Sequence, residues 1–309
     1  MIYEYQQPVA DALKRALRVH AVCNELDLPV RPRNHRLVIG PTGSGKSHIA
    51  EAVAKDMGWE VYMLNASTWN PMGAKGEPTW DKITKWLSNL HEDARPVIIL
   101  DELDKVSGEE SWSRYIRAEM FNLLDGRTPG PGFCIEEEEG DADKIHETST
   151  KVDGMIKTLL VIGCGAFQHV FDSPKHMGFA EQPSDELTQS KLSKSLQREL
   201  VNRFSQEILV LPEPGERDYR RMLEMVAEKL PTYLSQEVMS NCDKKIEAAL
   251  IDKPSARFVE AVLSKALEDT LDLAPIYAPA PYYPSVEELY DMALPQEPTC
   301  SLDFDPGEF

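Results

Sequence analysis

The stretch Leu37-Val-Ile-Gly-Pro-Thr-Gly-Ser-Gly-Lys-Ser47 constrains this chain more than any other. An apolar run leads into Gly40-x4-Gly45-Lys46-Ser47, and helix-forming residues follow from His48 to Ala54, the pattern of a phosphate-binding loop between a strand and a helix. Gly40, Gly43 and Gly45 let backbone N–H groups converge on an anion where a Cβ would obstruct them, and Pro41, Thr42 and Ser44 complete the turn. The helix that opens at Lys46, Ser47 and His48 points the positive end of its dipole at the same anion. Lys46 is placed to reach the β- and γ-phosphates, and the Ser47 hydroxyl to bind Mg²⁺. The loop predicts a nucleoside triphosphate ligand with Mg²⁺.

Around that loop, apolar runs alternate with helical spacing. Strands are expected at 36–39, 60–64, 96–102, 158–162 and 207–211, and helices over 8–27, after the loop, over 80–90 and over 114–124. Such alternation predicts an α/β fold with a parallel sheet covered on both faces. Residues 126–157 read as a long insertion punctuated by glycine and proline. From Gly215 to about Leu273 the pattern is helical only. The sequence thus divides into a nucleotide-binding unit (1–212), a small helical unit (213–273) and a tail (274–309).

Asp101 and Glu102 end the run Pro96-Val-Ile-Ile-Leu100. A strand lying beside the phosphate-loop strand would bring Asp101 to the Mg²⁺, through water. Glu102 would then orient and deprotonate the attacking water. Paired with the phosphate loop, these carboxylates favour hydrolysis over binding alone.

The formal net charge is −19, which argues against a surface that tracks phosphate backbones, so nucleic acid is not a favoured partner. No run approaches the ~20 apolar residues of a membrane span. The five cysteines are scattered and never form C-x-x-C, which disfavours a zinc module or disulfide framework and fits a reducing cytoplasm. After Lys265 the chain has no basic residue, ten acidic ones and several prolines, the composition of an extended or disordered appendage.

Gly40-Pro-Thr-Gly-Ser-Gly-Lys-Ser47, Asp101-Glu-Leu-Asp-Lys105 and Leu160-Val-Ile-Gly-Cys-Gly-Ala-Phe167 together resemble AAA+ ATPases, specifically the ClpX-like (Clp/HslU unfoldase) branch. Tyr5-Gln6-Gln7 is similar to the N-terminal box that helps enclose adenine, and Asn65-Ala-Ser-Thr68 to the approach to the first pore loop. Glu199-Leu-Val-Asn-Arg203-Phe204 is similar to the arginine-finger segment, and Ser255-Ala-Arg257 to the sensor-2 motif of a lid helix. The resemblance implies a homo-oligomeric ring, a hexamer in these relatives, with active sites between subunits. Arg203 would insert in trans into a neighbour's site, with Arg198 as the alternative finger, while Arg257 would contact the γ-phosphate in cis.

Departures from those relatives narrow the reading. Where their first pore loop carries Gly-Tyr-Val-Gly, this chain has Gly73-Ala-Lys-Gly76, so an aromatic grip would have to come from Trp69 or Met72. The second pore-loop region holds Glu136–Glu139, and the zinc-binding N-domain has no counterpart. No polar residue stands out at the sensor-1 position, Gly163–Ala166. Met177-Gly178-Phe179 occupies the place of the Ile-Gly-Phe loop that docks ClpX on a peptidase, which implies a peptidase or adaptor partner. The expected function is ATP hydrolysis by a ring that remodels or unfolds a protein client. The alternatives are an ATP-dependent assembly switch or loader that threads nothing, in a DNA transaction or elsewhere, and a nucleotide-gated scaffold that does not hydrolyse.

Overall fold

The computed structural model describes residues 1–26, 34–106, 111–129, 142–168, 192, 196–205 and 207–273. Glu136–Glu139, Met177-Gly178-Phe179 and the tail 274–309 lie outside the described residues. Five parallel strands, β1 (Arg36–Ile39), β2 (Glu60–Asn65), β3 (Pro96–Asp101), β4 (Leu160–Gly165) and β5 (Ile208–Val210), form one sheet in the order β2-β3-β4-β1-β5. The α/β parallel-sheet fold expected from the alternation is present.

Alternate strand residues feed two cores, one on each face. Leu37, Ile39, Ile98, Leu100 and Val161 point to one side, where α3 (Thr79–Ser88), α4 (Ser111–Leu124) and α5 (Ala142–Thr158) cover the sheet. Val38, Val97, Ile99, Leu160 and Ile162 point to the other, under α1 (Gln7–Glu25) and α2 (Lys46–Asp56). Burial on both faces explains why these strands read as continuous apolar runs rather than as alternating ones.

Two expectations need correcting. Part of the stretch read as an insertion, 142–157, belongs to the helix Ala142–Thr158, because Val152, Met155 and Ile156 recur at helical spacing and are buried in the first core. Strand β4 also starts later and runs further than expected, through Gly163-Cys-Gly165. Those glycines are needed there: a Cβ on Gly163 would stand 3.0 Å from Leu103 and Phe204, and one on Gly165 would overlap Phe167.

A short helix α6 (Arg198–Val201) precedes β5, after which the chain is helical: α7 (Glu216–Ala227), α8 (Thr232–Met239), α9 (Cys242–Asp252) and α10 (Arg257–Leu273). These four helices bury their own cluster, with Tyr219 and Phe258 meeting edge to face at 4.9 Å. The N-terminal turn Glu4–Gln6 bridges the two parts. Tyr3 and Tyr5 lie against the helical cluster, and Glu4 pairs with Arg221 of α7 at 2.8 Å.

Candidate functional site

The phosphate loop leaves the C-terminal end of β1, where the chain later crosses over β1 to reach β5, the place in an open α/β sheet where ligands bind. A Cβ on Gly40 would stand 2.8 Å from Leu211, so the loop starts flush against the chain after β5. Gly43 (φ 78°) and Gly45 (φ 84°) adopt the left-handed conformation that favours glycine. At Gly45 a Cβ would also come within 3.0 Å of Gln6 Nε2. The first helical bond of α2 runs from Ile49 N–H to Gly45 O at 2.8 Å, so the N–H groups of Lys46, Ser47 and His48 precede the helical ladder and face the loop. Lys46 is buried and donates from Nζ to Gly40 O (3.1 Å) and Pro41 O (2.8 Å). Burial lowers its pKa, against the opposing pull of Cys164, Asp101 and Asp104.

Asp101 and Glu102 reach the same cleft, though not by the expected route. The strand that carries them is not beside the phosphate-loop strand, because β4 pairs with both and separates them. Two strand spacings are about 9.6 Å. That gap stays open because β4 ends in the short residues Gly163-Cys-Gly-Ala166, of which Gly165 and Ala166 line the cleft. Glu102 has a left-handed backbone (φ 54°), a conformation that costs a non-glycine residue about 1–3 kcal/mol. Its Oε2 accepts from Asn65 Nδ2 and Ser67 Oγ, both at 3.0 Å. These two donors, Asn65 foremost, hold its carboxyl below the usual carboxylate range. Asn65 ends β2 in register with Asp101, so the strand pairing itself sets the contact.

Asp104 supplies polar chemistry that the sequence reading missed. From the turn after β3, its Oδ1 accepts from Ala166 N–H at 3.0 Å, so a carboxylate covers the place where β4 offers no polar side chain. On the opposite wall, Gln6 Nε2 and Tyr5 OH both donate to Ser44 O, at 2.8 and 3.2 Å. Burial pushes the Tyr5 phenol up to about 12. Ala256 N–H donates to Gly43 O at 3.1 Å and brings Arg257, at the start of α10, over the loop. The resulting cleft of about 610 Å³ is lined by Thr42, Gly43, Gly45, Lys46, Ser47 and His48 on one side, and by Asp101, Glu102, Asp104 and Arg257 among others.

The residues fit a polyphosphate: two left-handed glycines, free helical N–H groups and a lysine form a cradle that side chains would fill. Ser47 and Asp101 offer the oxygen donors that a hard cation such as Mg²⁺ takes. Among the described residues no cluster of three or more His, Cys, Asp or Glu could hold a metal unaided, so such an ion would draw most of its oxygens from phosphates and water.

Comparison with known proteins agrees with this geometry. The family AAA, described as the ATPase family associated with various cellular activities, matches residues 36–163, from β1 to β4. Those residues are an AAA ATPase domain. Its chemistry is ATP hydrolysis. Over 144 residues, 44% of this chain and 24% of the relative, the chain is 26% identical to the A1 form of the katanin p60 ATPase-containing subunit of Arabidopsis thaliana. It is 29% identical over 103 residues (31% and 20%) to the A-like 1 form of the katanin p60 ATPase-containing subunit of Danio rerio. It is 32% identical over 79 residues (24% and 19%) to the ATP-dependent Clp protease ATP-binding subunit ClpX of Treponema denticola. The chain therefore spans a quarter or less of the length of these curated relatives. Matches to both katanin and ClpX support the AAA ATPase family without selecting the ClpX-like branch.

Two predicted residues sit away from the AAA cleft. Trp69 cannot grip a client, because it is 1% exposed and donates from Nε1 to Glu119 at 2.8 Å. Its neighbour Met72 is 44% exposed beside the exposed turn Gly73–Gly76. Arg203 does not line the cleft. It lies where the strands begin, since Ser205 N–H donates at 2.8 Å to the backbone oxygen of His35, just before β1. Its Nε and Nη2 donate to the two oxygens of Asp125, at 2.9 and 3.0 Å.

Proposed function

We propose that this chain is the ATPase module of a homo-oligomeric ring, a hexamer in the ClpX-like arrangement, that uses ATP to remodel or unfold a protein partner. In this reading residues 1–212 bind the nucleotide and 213–273 act as a lid that reads it through Arg257. The backbone N–H groups of the loop and Lys46 orient the β- and γ-phosphates, Ser47 and Asp101 hold Mg²⁺, and Glu102 takes the proton of the attacking water. The ion, when bound, neutralises phosphate charge. Arg203 serves the neighbouring subunit by stabilising the charge that develops on the transferred phosphoryl group.

The observation that carries the shared-site reading is the distance between the two ends of the sheet. Lys46 and Glu102 stand where the strands end and Arg203 where they begin. The four residues of β1 span about 13 Å, more than an arginine side chain covers. Arg203 therefore acts on another copy or not at all. The relatives support an assembly as well, since each is named as a subunit. Mixing two inactive variants tests this. Glu102→Gln supplies an intact Arg203 and Arg203→Ala an intact Glu102, so mixed assemblies contain complete sites and regain hydrolysis. Mixtures as inactive as their components would refute a shared site.

A second reading, an ATP-driven assembly switch that threads nothing, draws on the loop at 73–76, which presents Ala74 and Lys75 rather than an aromatic, and on the buried Trp69. A Glu102→Gln protein in ATP separates the two: a threading motor retains a client protein inside the assembly, whereas a switch stays locked in its assembled form without one.

A further inference from the structure

We propose that Asp125 is a positioning residue for the cation that this chain lends to its neighbour: it grips Arg203 through both carboxylate oxygens and fixes the guanidinium on the face of Phe121. The inference deepens the shared-site reading above and rests on it.

Asp125 follows directly on α4, and Phe121 stands one turn before it, so the two side chains share a face of that helix. The Arg203 Cζ lies 4.3 Å from the centroid of the Phe121 ring. Nε meets Asp125 Oδ1 at 2.9 Å, Nη2 meets Oδ2 at 3.0 Å, and Nη1 donates to the Glu199 carbonyl at 3.0 Å. Every nitrogen of the fork is engaged. A guanidinium has five N–H donors, so one on Nη1 and one on Nη2 are left for a further acceptor. The side chain is 24% exposed, so the guanidinium is held without being fully enclosed. An ordinary surface ion pair lacks the stacked ring, the second oxygen and the third partner.

Both halves of the clamp are tied to one residue. His35 Nε2 donates at 2.9 Å to the carbonyl of Leu124, next to Asp125, while its backbone oxygen holds Ser205, two residues beyond Arg203. Val161 N–H donates to His35 Nδ1 at 3.0 Å, which places the imidazole hydrogen on Nε2. Gly126 then follows the helix with a left-handed backbone (φ 67°), and a Cβ there would stand 3.4 Å from Ile156 O and Lys157 Cα, so the turn after Asp125 passes close to that segment. A long, mobile side chain is thereby ordered before the neighbour arrives, and assembly does not have to freeze it.

The test uses the mixed assemblies described above. Asp125→Asn keeps the shape of the side chain but halves its grip. Placed on the Glu102→Gln subunit, which contributes only its arginine, it lowers the restored kcat about ten- to hundred-fold, the range that misplacing a catalytic group costs. KM for ATP changes less than about two-fold, because the nucleotide cradle is untouched. Placed on the Arg203→Ala subunit, the same substitution leaves the restored rate unchanged. A Phe121→Leu substitution, which keeps an apolar side chain at that position, produces a smaller loss with the same subunit dependence and covers the case of an unstable Asp125 variant. Equal losses on either subunit, no loss, or a rise in hydrolysis would each overturn the positioning role. Failure of Glu102→Gln and Arg203→Ala to complement at all would instead remove the shared-site reading beneath it.

Discussion

The two ends of this sheet are built by different means. Where the strands end, the cleft is made largely of backbone: two left-handed glycines, the opening turn of α2 and carbonyls that hold Lys46 are all supplied by Gly40–Ser47. Where the strands begin, the clamp around Arg203 is made of side chains from segments far apart in sequence, His35, Phe121 with Asp125, and Arg203 itself. A cradle of backbone is written into a few consecutive residues. A clamp of side chains exists only after the sheet has brought its parts together.

The largest effect expected from separating the two ends is on catalysis. Glu102→Gln removes the proposed proton acceptor and leaves the clamp intact, so on the shared-site proposal kcat falls about 10²- to 10⁴-fold while the protein still donates Arg203 to a mixed assembly. Steady-state kinetics with the complementation assay measure both, and a Glu102→Gln protein that hydrolyses ATP normally would break the division. The next effect is on stability and belongs to the other end. Burial pushes the His35 imidazole down to about 4, from about 6.5 in the unfolded chain. The unfolded state thus binds this proton more readily, so the contribution of neutral His35 is complete above pH ~6.5 and is lost as the pH falls toward 4. Denaturant unfolding at pH 7 and 4.5 is expected to show a loss of roughly 2–3 kcal/mol from this group, absent in a His35→Gln protein. Equal pH dependence in both proteins would dissociate His35 from the clamp.

A smaller effect sharpens the description of the cradle. Gly45→Ala places a methyl 3.0 Å from Gln6 Nε2 and forces alanine into a left-handed backbone, a strain of roughly 1–2 kcal/mol. ATP binding, measured by titration calorimetry, is expected to weaken about ten-fold or more. Unchanged affinity would mean that the loop holds phosphate by its lysine and helix alone.

The phosphate loop, the strands and the acidic pair were legible because each is local: a motif, an apolar run, two carboxylates after it. Strand order was not. Nothing in the residues between Lys46 and Asp101 says that β4, some sixty residues further on, will sit between their strands; only its short Gly163–Ala166 end hints that the two sides must communicate across it. Helix α5 was hidden for another reason. The glycines and prolines of 126–132 dominate the composition of that stretch, although Val152, Met155 and Ile156 already carried the helical period. Trp69 misled because an aromatic near an exposed loop looks available, whereas its indole N–H had already found Glu119 within the fold.

Asn65 lies between these cases. It was visible as a polar residue after a strand, but its purpose appears only through the register that sets it opposite Asp101 and within 3.0 Å of the Glu102 carboxylate. Its contact with Glu102, like the clamp, exists only once side chains from distant segments have been assembled. In its proposed role as general base Glu102 must be ionised, and a carboxyl held below the usual range stays ionised to lower pH. Asn65→Ala removes the larger of the two donors, so the acid limb of kcat/KM moves to higher pH, while Ser67→Ala moves it less and in the same direction. With the donor gone, Glu102 is also the stronger base, so the plateau rate above that limb stays level or rises. A limb that does not move would show that Glu102 leaves Asn65 before ATP is cleaved, and that the hydrogen bond belongs to the resting cleft alone.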